Sequence, residues 1–409
     1  MTDLQAANTP PAAPTPPTDA APAPIASRVG RLLANAGRQL VLPLLAMLTA
    51  LIIGALIIVL SDPDFIGQIG SNPGGAFSAG IGSVGAAYRG LIVGSLGSPN
   101  ALSETLLRAT PLILAGLAVA LGFRAGLFNI GAEGQIYMGA LFATAVGINF
   151  EGMPFVAHLP LAILAGFVGG ALWGFVPGIL KARAGAHEVI TTIMLNYVAY
   201  LTVDFALRQS FFQRGDRADP VSRFILESAT LPKLFGTELR VHWGLILALI
   251  AAVLVSWLLF RSTKGFEFRA VGLNPSAARY AGISISSSVV LAMMISGGLA
   301  GLAGASEIIG TNGRLTPGFS PGWGFDAIAL ALLGGSRPLG VVGAALVFGA
   351  LRAGATPMQA ATGIPIDLVV VIQALVIMFI AAPALVRGIY RIRLAKATGP
   401  DITIKGWGA

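Results

Sequence analysis

The sequence predicts an all-α polytopic membrane protein with about ten transmembrane helices, some short or broken, and both termini in the cytoplasm. Three observations predict it. Of 409 residues, 55% are hydrophobic and only 11% charged, with a mean hydropathy of +0.80, whereas soluble domains carry about 25% charged residues. The apolar residues fall into runs of the length that a bilayer core of roughly 30 Å demands, about 20 residues per helix. The basic residues stand at the ends of those runs: Arg28, Arg31 and Arg38 before the first, Lys181 and Arg183 after a middle one, and Arg387, Arg391, Arg393 and Lys396 after the last. That is the positive-inside pattern, and it explains the net charge of +8 without a nucleic-acid partner.

Residues 1–37 form a Pro/Ala-rich segment without apolar periodicity, expected to be a disordered cytoplasmic tail. No cleavable leader precedes it, so the first span is expected to act as an uncleaved insertion signal. That span is Gln39–Leu60. Residues 61–99 read as an external segment with a weakly amphipathic stretch around Val84–Leu96. Thr105–Phe123 returns inward to Arg124, Ala132–Phe150 goes out, Pro160–Leu180 comes back, and Val189–Leu207 exits to an external loop over 207–241. His242–Phe260 delivers the chain inside and Ser286–Ser306 takes it out. Phe325–Gly334 and Leu339–Ala355 are short and Gly-rich, and read as half-helices or a tight inner hairpin. Asp367–Val386 ends at a basic tail over 391–409, which closes a transmembrane domain over 38–390. Ten crossings bring both ends to the same side, in agreement with every short basic cluster.

Glycine supplies 53 residues, about twice its usual frequency of roughly 7%. Gly166, Gly170, Gly174 and Gly178 repeat every fourth residue, as do Gly297 and Gly301. Small residues at that spacing let helix backbones approach closely in lipid. They predict tight packing, or a stripe that lines a moving interface.

The absence of cysteine excludes disulfides and thiol chemistry. Three scattered histidines (His158, His187, His242) offer no metal centre, and no Ser/His/Asp set stands at a catalytic spacing. The chain has no glycine-rich phosphate loop ending in Lys-Ser or Lys-Thr, so it is not expected to bind ATP in that manner. Its spans hold few carboxylates, unlike those of proton-relay transporters. Neither an enzyme nor a self-powered carrier is implied, and no cofactor is expected on this chain.

Two stretches carry candidate function. Gly122 to Gln135 joins two spans through irregular, Gly-rich backbone, which is tolerated at membrane depth only inside protein or beside a watery cavity. Arg124 and Glu133 there either pair to pin the loop or belong to a solute pathway in which Asn129, Glu133 and Gln135 present hydrogen-bonding groups. Thr191, Thr192 and Asn196 lie on the next inner helix start, the last two four residues apart on one face. They either meet an uncharged polar solute or bond to backbone in a packed bundle. The second stretch is the polar, basic strip over 261–285. Asn274 is an N-cap residue, Pro275 suits a first turn and Gly282 a helix stop. The short helix between them, with Ala277, Ala278, Arg279 and Tyr280, cannot form a core alone and needs a partner, unless it is merely a helical connector.

At these motifs the chain resembles the permease subunits of bacterial ABC importers for branched-chain amino acids, ribose-type sugars and nucleosides. The carriers of the resemblance are Phe128-Asn129-Ile130-Gly131-Ala132-Glu133-Gly134-Gln135, the run Glu188 to Asn196, the segment Gly272 to Gly282, and Leu333 to Gly340. Together they span about residues 40–390, and the run from Glu188 is most similar to the general nucleoside importers. The resemblance implies a multi-pass protein of the cytoplasmic membrane that moves a nucleoside or similar neutral solute, with a ribose-type sugar or an ion-coupled carrier as alternatives. It implies three partners: an ATPase with two nucleotide-binding sites that uses ATP and Mg, a second related permease in a heterodimer, and an extracytoplasmic binding protein. Gly272, Asn274, Pro275, Ala277, Ala278, Arg279, Tyr280 and Gly282 are then its ATPase-coupling segment.

Because the chain lacks cysteine, Tyr280→Cys creates a single thiol whose compartment can be read directly. An impermeant maleimide is expected to label it only after intact cells are permeabilised; labelling from outside would overturn the topology.

Overall fold

The computed structural model describes residues 25–215 and 219–391. The Pro/Ala-rich residues before Ile25 and the tail after Arg391 lie outside the described residues. The first helix, α1 (Ile25–Ser61), already begins inside the stretch expected to be disordered to residue 37. The last proline of the tail is Pro24, and residues 25–38 are free of it and rich in Ala, Leu and Arg, which favour helix.

The segment over 61–99 departs most from expectation. It holds α2 (Pro63–Gln68) and α3 (Pro73–Leu96), each opened by an Asx cap and a first-turn proline. By length and composition α3 is itself able to cross a membrane. Its seven glycines dilute the apolar signal in the sequence, yet they are what its neighbours pack on. A Cβ on Gly80 would stand 2.9 Å from Val59, and one on Gly90 would stand 2.9 Å from the Met358 backbone.

From here the elements follow the expected order with shifted ends. Helix α4 (Pro99–Arg124) starts earlier because Ser98 caps it, accepting from the Ala101 amide at 3.1 Å. It is followed by α5 (Ala132–Gly147), α6 (Phe155–Ala184), α7 (Glu188–Leu207) and α8 (Gly244–Arg261). The polar, basic strip after α8 forms α9 (Thr263–Leu273) and α10 (Pro275–Tyr280). Then come α11 (Ile285–Glu307), extended by a π-turn through Asn312, the half-length α12 (Trp323–Leu333) and α13 (Pro338–Thr362). Of the two alternatives for the Gly-rich region, α12 is a half-helix, while α13 is full length and joined to it by a tight turn. The final span breaks into α14 (Asp367–Ala381) and α15 (Pro383–Tyr390), since Pro383 has no amide to continue the ladder.

Helices α4 and α11 form the centre, with 83% and 78% of their spanning windows buried, against 22% for the peripheral α7. On one side of α11 the glycine stripes meet backbone to backbone. A Cβ on Gly170 would lie 2.2 Å from the Gly297 carbonyl oxygen, one on Gly174 2.3 Å from that of Met293, and one on Gly301 2.3 Å from that of Gly166. Of the two roles expected for the stripe, tight packing is the one seen in this conformation. The long loop after α7 is tied down by His242, whose Nδ1 accepts from the Gly244 amide at 3.0 Å and whose Nε2 meets Thr311 at 3.2 Å. Burial pushes its imidazole down to about 4, with Arg240 adding to the effect, so the ring stays neutral.

Gly170→Val is expected to force α6 and α11 apart. The variant should lose at least about 3 kcal/mol, the upper range for overpacking, and melt well below the parent in detergent by size-exclusion thermal scans. Gly343→Ala, where nothing lies within 4 Å of the added carbon, should melt unchanged.

Candidate solute pathway and coupling segment

The irregular segment 125–131 leaves the C-terminal end of α4 and turns back into the bundle to start α5 among buried residues. Its backbone groups have no water there, so side chains must satisfy them. Asn129 Oδ1 accepts from the Gly131 amide at 3.0 Å. Asn196 of α7 reaches across, accepting from the Gly134 amide at 2.8 Å and donating to the Ile130 carbonyl at 3.0 Å. Asn129 Nδ2 donates to Gln135 Oε1 at 2.9 Å and to Ser296 Oγ at 3.0 Å, and the Ser296 hydroxyl donates to the Ala118 carbonyl at 2.8 Å. The seam therefore links α4, α5, α7 and α11 through polar contacts.

Glu133 has a different duty. The first residues of α5 and α12 touch: a Cβ on Gly324 would lie 2.2 Å from the Glu133 amide nitrogen. Two helix N-termini, each with unpaired amides and partial positive charge, thus converge inside the bundle. The Glu133 carboxylate lies between them and accepts from the Gly324 amide at 2.6 Å, with the Ser320 hydroxyl beside it. Arg124 does not pair with Glu133, the alternative considered from sequence. It donates instead to the Ser336 carbonyl at 2.9 Å and the Gly335 carbonyl at 3.0 Å, at the opposite end of α12. Nine residues apart in sequence, an acid and a base bond the two ends of a half-helix about 16 Å long.

The expected pathway residues thus come together, but they face protein. Asn129, Glu133, Gln135 and Asn196 are each 1% exposed. Thr192 is buried and its hydroxyl bonds back to the Val189 carbonyl, while Thr191, half-buried, bonds to the Glu188 carbonyl. Ser296 and Gly324, which complete the seam, were not singled out from sequence: one sits inside a small-residue stripe and the other contributes only an amide.

Above the seam lies a charged cavity of about 160 Å³ lined by residues of α4, the outer loop, α11, α12 and α13. It meets the seam at neighbouring residues, since Trp323 lines the cavity and Gly324 binds Glu133. Arg352, in its lining, pairs with Asp326. Arg108, Glu307 and Trp323 stood apart in the sequence and gave no such sign.

In the polar strip, Asn274 caps α10 as expected, its Oδ1 accepting from the Ala277 amide at 3.0 Å, and Gly282 has a φ of +82° that glycine favours. Pro275, Ala277, Arg279 and Tyr280 are exposed, Tyr280 by 97%, whereas Ala278 is 3% exposed and anchors the helix rather than presenting a surface. Gly272 ties this segment to the pathway: a Cβ there would lie 2.6 Å from the Arg124 carbonyl oxygen and 2.7 Å from the Gly126 nitrogen. Arg124 and Arg269 both stack over the Phe260 ring, at 5.7 and 5.5 Å. Among the described residues no group of His, Asp or Glu could hold a metal ion.

Residues 101–381 match a family described as branched-chain amino acid transport system/permease component. The guanosine ABC transporter permease protein NupP of Bacillus subtilis is 41% identical over 354 residues, 85% of this chain and 95% of that one. The nucleoside ABC transporter permease protein NupB of Lactococcus lactis subsp. cremoris is 36% identical over 371 residues, 89% of this chain and 95% of its own. The glucose ABC transporter permease protein TsgB13 of Haloferax volcanii is 41% identical over 319 residues, covering 76% and 83%. No solved structure matches the chain significantly.

Glu133→Ala leaves the Gly324 amide unpaired between two helix ends. It is expected to cost about 1–3 kcal/mol, read as a lower melting temperature, with Glu133→Gln, which keeps an acceptor, closer to the parent. Equal melting of Ala and parent would refute the capping role.

Proposed function

The chain belongs to the branched-chain amino acid transport system permease component family, and on that premise we propose that it carries a nucleoside across the cytoplasmic membrane. It is one transmembrane subunit of an ABC importer, not an enzyme, and ATP with Mg is used by partner ATPase chains. The nucleoside reading is supported by two relatives named for guanosine and nucleosides that match over 95% of their lengths. A simple sugar is the second reading, supported by the equally identical relative named for glucose. An ion-coupled carrier draws no support from the family. An extracytoplasmic binding protein would deliver the solute, and a second, related permease would complete a heterodimer.

The observation that carries the mechanism is the backbone contact of Gly272 with Gly126. The exposed face of α10, led by Tyr280, docks the ATPase, and its displacement passes through Gly272 into the segment 125–131. That segment carries Asn129 directly and Glu133 through the start of α5. Moving it breaks the seam, exposing Asn129, Gln135, Thr191, Thr192 and Asn196 to a neutral hydroxylated solute. The seam is thus the closed inner half of the pathway. Nucleotide and solute bias the switch only by their differential affinity for its two states.

Gly272→Val is expected to separate the two activities in proteoliposomes holding the whole importer. ATP hydrolysis should persist while ATP-dependent guanosine uptake falls at least about tenfold, the equivalent of roughly 1.4 kcal/mol in coupling. Normal uptake by an assembled variant would refute this route.

A further inference from the structure

A second cavity, of about 560 Å³, shares no residue with the charged one and is an open groove on the flank of the bundle. Its lining runs from Phe155 to Phe167 on α6, and Trp243, which caps α8, and Leu302 of α11 complete the wall. The α6 residues recur three and four apart, so one face of that helix forms the groove. That face begins with the first residue of α6 and extends about 18 Å along its axis at 1.5 Å per residue. At the far end Phe167 lies on α11, where a Cβ on Gly298 would overlap its ring. Helix α6 cannot swing across to close the gap. Gly166, Gly170 and Gly174 lock it to the α11 backbone, and His158 ties its start to Ser228 at 2.8 Å and to the Val146 carbonyl at 3.0 Å.

Water does not suit this groove, because a water molecule needs two or more polar partners and the lining is apolar. Left empty, the walls would forfeit their dispersion contacts. Helices α6 and α8 are both able to cross a membrane, so the bilayer itself surrounds the opening. One polar group stands there. Trp243 is 50% exposed, and its indole N–H makes no hydrogen bond among the described residues. Tryptophan in that setting keeps its ring in hydrocarbon and its N–H toward lipid headgroups.

We propose that the groove is a lipid site that holds one acyl chain of a glycerophospholipid. The chain lies along α6 with its methyl end at Phe167, and its ester carbonyl accepts from the Trp243 indole. Two dimensions select this occupant. The groove is slightly longer than half of a hydrocarbon core of roughly 30 Å, the depth that a chain from one leaflet reaches. Spread over about 18 Å, 560 Å³ gives a mean cross-section of roughly 30 Å². A protein helix, about 10 Å or more across, is too wide for it, whereas a single extended hydrocarbon chain is not. The site does not depend on which solute the protein carries.

The test uses the complete importer, purified in mild detergent and supplied with dioleoyl phosphatidylglycerol. Native mass spectrometry is expected to find one phospholipid retained per copy of this chain after looser lipid has been stripped. Leu164→Trp, which fills the groove, should lower that retention at least about tenfold. Val253→Trp, an exposed α8 position outside the lining, should leave it unchanged. Trp243→Phe keeps a ring and removes the donor, and should weaken retention about fivefold, the equivalent of one hydrogen bond. The unaltered complex supplies a further measurement: stripped of lipid it should melt lower, and recover with the dioleoyl lipid but not with a dihexanoyl one, whose chains stop short of Phe167. Equal retention by parent and Leu164→Trp, or equal loss in Leu164→Trp and Val253→Trp, would overturn the assignment. So would full recovery with the short-chain lipid, or exclusion of lipid from this groove by the second permease in the assembled complex.

Discussion

A packed bundle offers no water to an unfinished helix, and the structure is organised around two helices that begin in its interior. The N-termini of α5 and α12 meet there, backbone against backbone at Gly324, and leave several amides without ladder partners. Glu133 resolves the conflict by placing an acceptor where two partial positive ends converge. Asn129 and Asn196 satisfy amides of the loop and of α5. Without these side chains the segment 125–131 could not stay in the bundle, and α12 would have no fixed upper end. Arg124 completes the arrangement below, on the carbonyls past the lower end of α12.

The same groups explain why the site is poised to move. A half-helix gripped at both ends by polar groups from a single short segment is linked to the movement of that segment, although its apolar face also packs on α4. The segment in turn rests on Gly272, beside the exposed α10. Polar caps of this kind are directional and can be exchanged for a solute's hydroxyls, whereas the backbone-locked pair of α6 and α11 has no second arrangement available at such close approach. The molecule thus divides into a fixed part and a part whose bonds are replaceable.

Much of this was legible in the sequence, and the failures have physical causes. The spans, the capped inner helix from Asn274 to Gly282, the irregular loop before α5 and the half-length α12 all leave local marks: apolar length, cap residues, glycine. The conjunction of Asn129, Glu133, Gln135, Thr192 and Asn196 was also legible as a set. Their present partners were not, because an amide donor such as Gly324 has no side chain to signal it, 191 residues away. For the same reason Arg124 invited pairing with its sequence neighbour Glu133. Helix α3 was missed because its glycines lower hydropathy while improving contact with Val59 and Met358. Arg108, Glu307 and Trp323 became a group only once α4, α11 and α12 were placed around one cavity.

The glycine seam between α6 and α11 has one more implication. Positions such as Gly170 and Gly301 admit no side chain of any kind, so the bundle owns a keel that sequence change cannot easily remodel. Divergence in what the protein admits must therefore accumulate elsewhere in the bundle. Relatives of different solute preference could then share this keel nearly unaltered, and laboratory selection for a new solute would find its useful variants away from it.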